Sequence, residues 1–138
     1  DPVIMHNKGK FKIPAEIGGS GAQFLLTYLT ALIDSEESTI LLEEPEKALH
    51  ASLQIKLAEF FSEICANNQL VIETHSENLL LGILKQVRDK KIKPEELSVL
   101  YVYMENGVSK IDKLEVNEKG GFKSKWRDGF FTEKLDLL

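Results

Sequence analysis

Two short apolar segments, each followed at once by polar side chains, most constrain how this chain can fold. The first is Thr39–Glu43, which runs directly into Glu44, and the second is Leu70–Glu73, which is separated from His75 by one threonine. Uninterrupted apolar strands are typical of a parallel sheet that is covered on both faces. Open α/β sheets bind their ligands at the carboxyl ends of the strands. We therefore expect Glu43, Glu44 and His75 to lie on one rim of a sheet, in a position suited to phosphate chemistry.

The sequence around these strands alternates between helical and extended patterns. Apolar residues recur at helical spacing after Gly21, between the two strands, and again after Ser76, which is a favourable N-cap. Pro45 is placed to open the middle helix, and Asn67 and Asn68 can supply its left-handed end. In chain order, the predicted elements are a helix after 21, a strand at 39–43, a helix at about 46–66, a strand at 69–73, a helix from 76 to about 90, a strand at 98–104 and, after the tight turn Asn106-Gly107, a strand at 108–116.

Composition limits the class of protein without identifying it. The chain has 138 residues, of which 43% are hydrophobic and 28% charged, so a single domain can bury a core. A formal net charge of -5 argues against a surface that is basic all over and built to bind nucleic acid. No apolar run approaches the roughly 18 to 20 residues of a membrane-spanning helix. We therefore expect no membrane partner and a cytoplasmic location.

The adjacent acids Glu43 and Glu44 have two interpretations. They can be solvated residues at a strand end, close to a helix N-terminus that favours negative charge. The uninterrupted apolar segment Ile40–Leu42 favours a functional role, because it brings the acids out of a covered strand into the crevice. There, one carboxylate can hold magnesium, usually through water, while its neighbour polarises an attacking water.

His75 and the cluster Gly18–Gly21 also have an ordinary and a functional interpretation. A histidine at a strand end is often structural, but His75 precedes Ser76, where a helix N-terminus favours anions, and it can donate to a phosphate oxygen. The glycine cluster can be a flexible loop. Because a helix follows it at once, its amides and Ser20 also form a terminus that can receive an anion.

These motifs resemble the C-terminal half of an ABC-type AAA family ATPase, in the group of prokaryotic predicted ATPases that includes OLD and SMC/Rad50-like proteins. The resemblance rests on Gly18–Gln23, on Ile40–His50 with Gln54, and on Glu73–Glu77. The tail 117–138 resembles the C-terminal domain of unknown function that is appended in one branch of the group. The resemblance implies an α/β fold, the C-terminal lobe of a P-loop NTPase, with a mostly parallel sheet flanked by helices and a C-terminal β-hairpin.

The same resemblance implies three segments and a set of catalytic roles. Residues 1–14 would continue from a missing lobe, 15–104 would form the ATPase lobe, and 105–138 would form the hairpin and tail. Glu43 would occupy the Walker B position on the side of the metal, and Glu44 would be the catalytic base.

Further roles belong to the dimer that such ATPases form. His75 would be the switch histidine, and Ala48–His50 would be the D-loop along the dimer interface. Gly18–Gln23 would be the signature segment, which would cap the γ-phosphate of ATP bound by the other protomer in a head-to-tail homodimer, so ATP and Mg²⁺ are the implied cofactors. Its candidate phosphate-binding residues are Gly19, Ser20, Gly21 and Gln23.

One motif is absent from the sequence. No Gly-x-x-x-x-Gly-Lys-Ser/Thr loop occurs in the 138 residues, and that loop cradles the phosphates in P-loop ATPases. We therefore expect hydrolysis to require an N-terminal Walker A lobe of the same protein, and we expect these residues alone to be inactive.

Two other classes of function stay open at this point. The chain can be a non-catalytic interaction or regulatory module that docks through the edge left by a missing lobe. It can also belong to a defence or repair system, with DNA or an associated nuclease as partner. The basic residues that suggest the second class are Lys85, Arg88, Lys90, Lys91, Lys93, Lys119, Lys123, Lys125 and Arg127.

Overall fold

The computed structural model describes residues 3–5, 12–14 and 35–124, together with five helical positions that precede Ser35. The predicted Gly19 and Ser20 lie outside the described residues, as does the tail beyond 124. A helix after Gly21 is confirmed at the described positions, which are Gly21, Gln23, Thr27, Leu29 and Leu32.

Strands and helices alternate through the central part of the chain, as the sequence pattern predicts. The elements are β1 (Val3–Met5), β2 (Lys12–Pro14), β3 (Thr39–Glu43), α1 (Ala51–Ile64), β4 (Gln69–Glu73), α2 (Glu77–Arg88), a short 3-10 turn (Pro94–Glu96), β5 (Val99–Glu105) and β6 (Val108–Leu114).

The strands β3 and β4 pair in parallel. Their register runs from Thr39 opposite Gln69 to Glu43 opposite Glu73. Both predicted strands and their predicted pairing are confirmed. The consequence for the site is direct, because the two strands end at the same level and their following segments leave the sheet side by side.

The sheets are smaller than the predicted one. The described strands form three two-stranded sheets: antiparallel β1–β2, parallel β3–β4 and antiparallel β5–β6. Among the described residues, the mostly parallel sheet of the prediction is represented only by the pair β3–β4, since β5 pairs with β6. The hairpin itself is confirmed: Asn106 and Gly107 have φ of 53° and 77°, the left-handed pair that a two-residue hairpin turn needs.

The helix α1 begins later and ends differently than predicted. It begins at Ala51 with His50 as N-cap, so Pro45 does not open it. Its C-cap, Cys65, is right-handed with φ of -62°, and the expected left-handed Asn67 and Asn68 are not among the residues with positive φ. The side chain of Asn68 instead satisfies the helix end, because its Nδ2 donates to the Ile64 carbonyl at 3.2 Å.

The main core lies between the helices and one face of β3–β4. Its buried apolar residues include Leu42 from β3, Leu57 and Phe61 from α1, and Leu79 from α2, and Leu32 also joins it. On the other face of the sheet Leu41 is 74% exposed and Val71 50%. The double covering that the apolar pattern suggests is therefore absent from the described part of the chain.

Two glycines allow close approach of neighbouring segments to α2. A Cβ on Gly82 would lie 2.7 Å from the Ala58 Cβ and 3.3 Å from the Ile55 backbone, so α1 and α2 touch at this point. Gly120 has φ of 72°, and a Cβ there would lie 2.2 Å from the Leu84 carbonyl oxygen. The first contact fixes the distance between the two helices that follow β3 and β4.

Candidate functional site

Glu43, the last residue of β3, and Glu44, which follows it, lie beside the end of β4. The Glu44 amide donates to the Glu73 carbonyl at 2.9 Å, which extends the parallel ladder one residue beyond Glu43. The side chain of Glu43 is exposed, and that of Glu44 is half-buried. One carboxylate oxygen of Glu44 contacts the Lys47 ammonium at 3.0 Å. Because Lys47 is largely exposed, this ion pair is weak and can give way to another partner.

The turn between β3 and α1 contains two non-glycine residues in the left-handed region. Glu44 has φ of 43° and Ala48 has φ of 63°. The following Pro45 disfavours the right-handed helical conformation at Glu44. Left-handed non-glycine residues cost about 1–3 kcal/mol each and cluster at functional sites. The turn is therefore held by contacts outside itself.

Glu46 provides the main such contact. Its side chain is only 7% exposed, and its Oε1 accepts a hydrogen bond from the Thr74 hydroxyl at 2.6 Å and one from the His75 amide at 3.2 Å. The Thr74 hydroxyl also accepts from the Ser76 amide at 2.9 Å. A buried carboxylate thus joins the turn after β3 to the segment after β4.

Gln54, near the start of α1, makes a second connection to the same segment. Its Nε2 donates to the Leu49 carbonyl at 2.9 Å, and its Oε1 accepts from the Ser76 hydroxyl at 2.6 Å and the Asn78 amide group at 3.2 Å. Ser76 is the N-cap of α2 as predicted, with its oxygen accepting from the Leu79 amide. His75 therefore lies between two anchored neighbours, with its own side chain exposed.

The predicted signature segment meets the predicted D-loop at Gly21. A Cβ on Gly21 would lie 2.4 Å from the Ala48 carbonyl oxygen and 3.4 Å from Leu49 Cδ2. Only glycine fits there without a shift, so the glycine is explained by packing against the turn. Gln23 is exposed on the same helical segment.

The rim therefore brings together most of the predicted residues that the structure describes. Glu43, Glu44 and His75 leave adjacent parallel strands, and Gly21 contacts the turn between them. Sequence reasoning missed Glu46 and Thr74 as the pair that joins the two segments. The only signal for Glu46 was its position directly after Pro45.

The carboxylates at this rim are chemically suited to Mg²⁺. That ion prefers oxygen ligands and is usually held by one or two carboxylates together with substrate phosphates. Glu43 offers an exposed carboxylate at the end of β3. In the described ranges, no group of three or more His, Cys, Asp or Glu could hold a metal ion. A single exposed carboxylate such as that of Glu43 fits an ion that is shared with a bound phosphate.

Many of the basic residues near α2 and beyond form ion pairs. Lys85 contacts Glu59 at 3.5 Å and Asp89 at 3.1 Å, and Arg88 contacts Asp89 at 3.2 Å. Hydrogen bonds from Lys85 and then Arg88 hold the pKa of Asp89 below its usual value. Charge that is neutralised in this way offers less to a nucleic-acid backbone.

Across the described residues, no helix has the length and apolar character needed to cross a membrane.

The chain matches the model of one known protein family and resembles a solved structure. The family model described as "AAA domain, putative AbiEii toxin, Type IV TA system" matches residues 3–82. A solved structure described as "Structural biochemistry of ATP-driven dimerization and DNA stimulated activation of SMC ATPases" is similar, with a TM-score of 0.58 and 18% identity. The similarity covers 78% of this chain and only 60% of that chain, and it shows the fold alone. No curated protein matches.

The family match covers more than half of the chain, and it includes the turn after β3 and the segment after β4. The chain therefore belongs to the AAA domain family of that description, and it has an α/β fold similar to that of an SMC ATPase.

Proposed function

We propose that this chain supplies the C-terminal part of an ATP-hydrolysing site in an ABC-type ATPase. The observation that carries the proposal is the hydrogen bond from the Glu44 amide to the Glu73 carbonyl, at the end of the parallel pair β3–β4. In support of the proposal, this bond joins the chain of Glu43 and Glu44, at the end of β3, to the end of β4, which leads to His75. Adjacent carboxylates beside a helix N-terminus suit phosphate chemistry, because the helix favours anions and the acids favour a metal and a water.

Each residue at the rim has a separate role in this proposal. Glu43 would hold Mg²⁺, which when bound neutralises charge on the phosphates. Glu44 accepts a proton from the attacking water, and the exposed Lys47 releases its carboxylate when nucleotide arrives. His75 donates a hydrogen bond to a γ-phosphate oxygen, and Ser76 is the N-cap of α2, whose N-terminus favours anions.

The site needs two further parts. An N-terminal lobe with a Walker A loop would bind the other phosphates, and a second copy of the protein would present Gly19, Ser20, Gly21 and Gln23 to the γ-phosphate. In support of the dimer, Gly21 packs against the Ala48 carbonyl, so the signature segment and the D-loop are adjacent. The similar SMC ATPase is described as dimerising in an ATP-driven manner. We also propose the division into 1–14, 15–104 and 105–138, and membership of the OLD-like branch with an appended C-terminal domain.

Glu44→Gln in the complete protein tests the proposal. A general base acts in the transition state, so turnover should fall by at least roughly 10²-fold while ATP affinity barely changes. A dimer that traps ATP should accumulate, which light scattering measures. Glu36→Gln is the matched control, because Glu36 is an exposed glutamate at the amino end of β3. Unimpaired turnover in Glu44→Gln would show that the chemistry belongs to other residues.

Two alternatives give different results in the same experiment. A non-catalytic docking module would show no ATP hydrolysis even in the complete wild-type protein. A DNA-associated defence or repair component would show DNA binding with a steep salt dependence. The ion pairs of Lys85 and Arg88 weaken the second alternative.

A further inference from the structure

The buried carboxylate of Glu46 is the feature of the site that the proposed chemistry does not use. Its Oε1 accepts from Thr74 and His75, while its Oε2 is buried without a hydrogen-bond partner among the described residues. Burying a carboxylate with an unsatisfied oxygen is costly. A neutral side chain would pack at this position at lower cost. The buried position of the Glu46 carboxylate therefore indicates a role that needs a strong hydrogen-bond acceptor.

We propose that Glu46 is a positioning residue that holds the backbone of His75 at the rim. The inference rests on the proposed function, since it assigns to Glu46 the task of aligning the histidine that contacts the γ-phosphate. The parallel ladder ends at the bond between Glu44 and Glu73, so the strands no longer fix the chain at His75. Beyond that point, hydrogen bonds to Glu46 tie the His75 amide and the Thr74 hydroxyl to the turn after β3.

The position of Glu46 in the turn gives this role a specific consequence. Glu46 lies two residues after the proposed base Glu44, with Pro45 between them. The same rigid turn therefore carries the base and the group that holds the histidine. The Glu46 side chain is therefore one of the groups that set the spacing between Glu44 and His75, and a small displacement of a group that aligns a reacting centre can cost a large factor in rate.

The proposal is tested in the complete protein by substitutions at either end of the hydrogen bond between the Thr74 hydroxyl and the Glu46 carboxylate. Glu46→Met removes both acceptors at similar length, and Thr74→Val removes the donor at nearly the same volume. Each should lower kcat by about 10- to 100-fold with KM changed by less than about 2-fold, because alignment in the transition state is lost. Thr74→Ser, which keeps the hydroxyl, should retain most of the activity. Glu46→Gln, which keeps a neutral and weaker acceptor, should lose less kcat than Glu46→Met. Thr39→Val at the opposite end of β3 is the matched control.

A background of His75→Ala separates positioning from general stabilisation. If Glu46 acts through His75, Thr74→Val and Glu46→Met should lower kcat by less than about 2-fold further once the histidine is gone. Equal losses in both backgrounds would overturn the proposal. If Glu46→Met does not fold, Thr74→Val still provides the comparison.

Hydrogen exchange gives a readout that does not depend on hydrolysis. The His75 amide should exchange about 10-fold faster in Glu46→Met than in the wild type, because it loses its acceptor, whereas the Leu79 amide should keep its rate. An unchanged rate at His75 would overturn the positioning role. A complete wild-type protein that does not hydrolyse ATP would refute the proposed function, and this exchange rate would still report whether Glu46 holds the segment.

Discussion

The close contact between α1 and α2 at Gly82 predicts how Gly82→Ala changes the free energy of unfolding. The sign of that change depends on the methyl group of Ala58. A Cβ at Gly82 would lie 2.7 Å from the Ala58 Cβ, about 1 Å closer than an ordinary carbon contact. Gly82→Ala gains about 1 kcal/mol of helix propensity, but overpacking in a core costs about 1–3 kcal/mol. Taking the middle of that range, we expect the free energy of unfolding to fall by about 1 kcal/mol.

The sign should reverse when the facing methyl is removed. In an Ala58→Gly background the methyl group at 2.7 Å is gone, and the Ile55 Cα and carbonyl oxygen, at 3.3 Å, lie next to the new Cβ. Gly82→Ala should then raise the free energy of unfolding by up to about 1 kcal/mol, so the two sites couple by about 2 kcal/mol. Urea unfolding of the four purified variants, followed by circular dichroism, measures this cycle. Equal effects of Gly82→Ala in both backgrounds would refute the proposed helix contact.

Two further substitutions test the connections around the sheet. Asn68→Ala should lower the free energy of unfolding by about 1–3 kcal/mol in urea, because the side chain bonds Ser35, Ser38 and Ile64; the neighbouring Asn67→Ala should change it by less than about 0.5 kcal/mol, and equal losses would contradict the capping role. Gly107→Ala should cost about 1 kcal/mol through its φ of 77° alone, since nothing lies within 4 Å of the new Cβ. Gly107→Asn should cost less in the same assay, and an equal loss would argue against backbone strain.

The paired strands could be predicted from the sequence because their signals are local. Ile40–Leu42 is uninterrupted apolar sequence, and the second strand repeats the pattern. Ser76 could likewise be predicted as an N-cap, since a serine before a helical pattern accepts from an amide within its own turn. The hairpin at Asn106-Gly107 followed from the left-handed preference of that pair. These predictions needed no knowledge of distant contacts.

The start of α1 could not be predicted in this way, because tertiary contacts decide it. Pro45 is suited to a first helical turn. Glu46 nevertheless lies outside α1, where its side chain accepts hydrogen bonds from Thr74 and His75. The pairing of Glu46 with residues beyond β4 leaves no periodic trace in the sequence. The role of Asn68 was predicted incorrectly for the same reason. Its backbone was expected to end α1 in a left-handed conformation, but its side chain caps the helix instead.

The segment after β4 is held by two residues of the segment after β3, and this arrangement links the parts of the site. Glu46 holds Thr74 and the His75 amide, while Gln54 holds Ser76 from the other side. The position of His75 is thus determined mainly by side chains outside its own loop. Gln54 also donates to the Leu49 carbonyl, one residue beyond the Ala48 carbonyl against which Gly21 packs. Because this turn carries the proposed base Glu44 and contacts both Gly21 and the segment of His75, a displacement of the turn would move all three together.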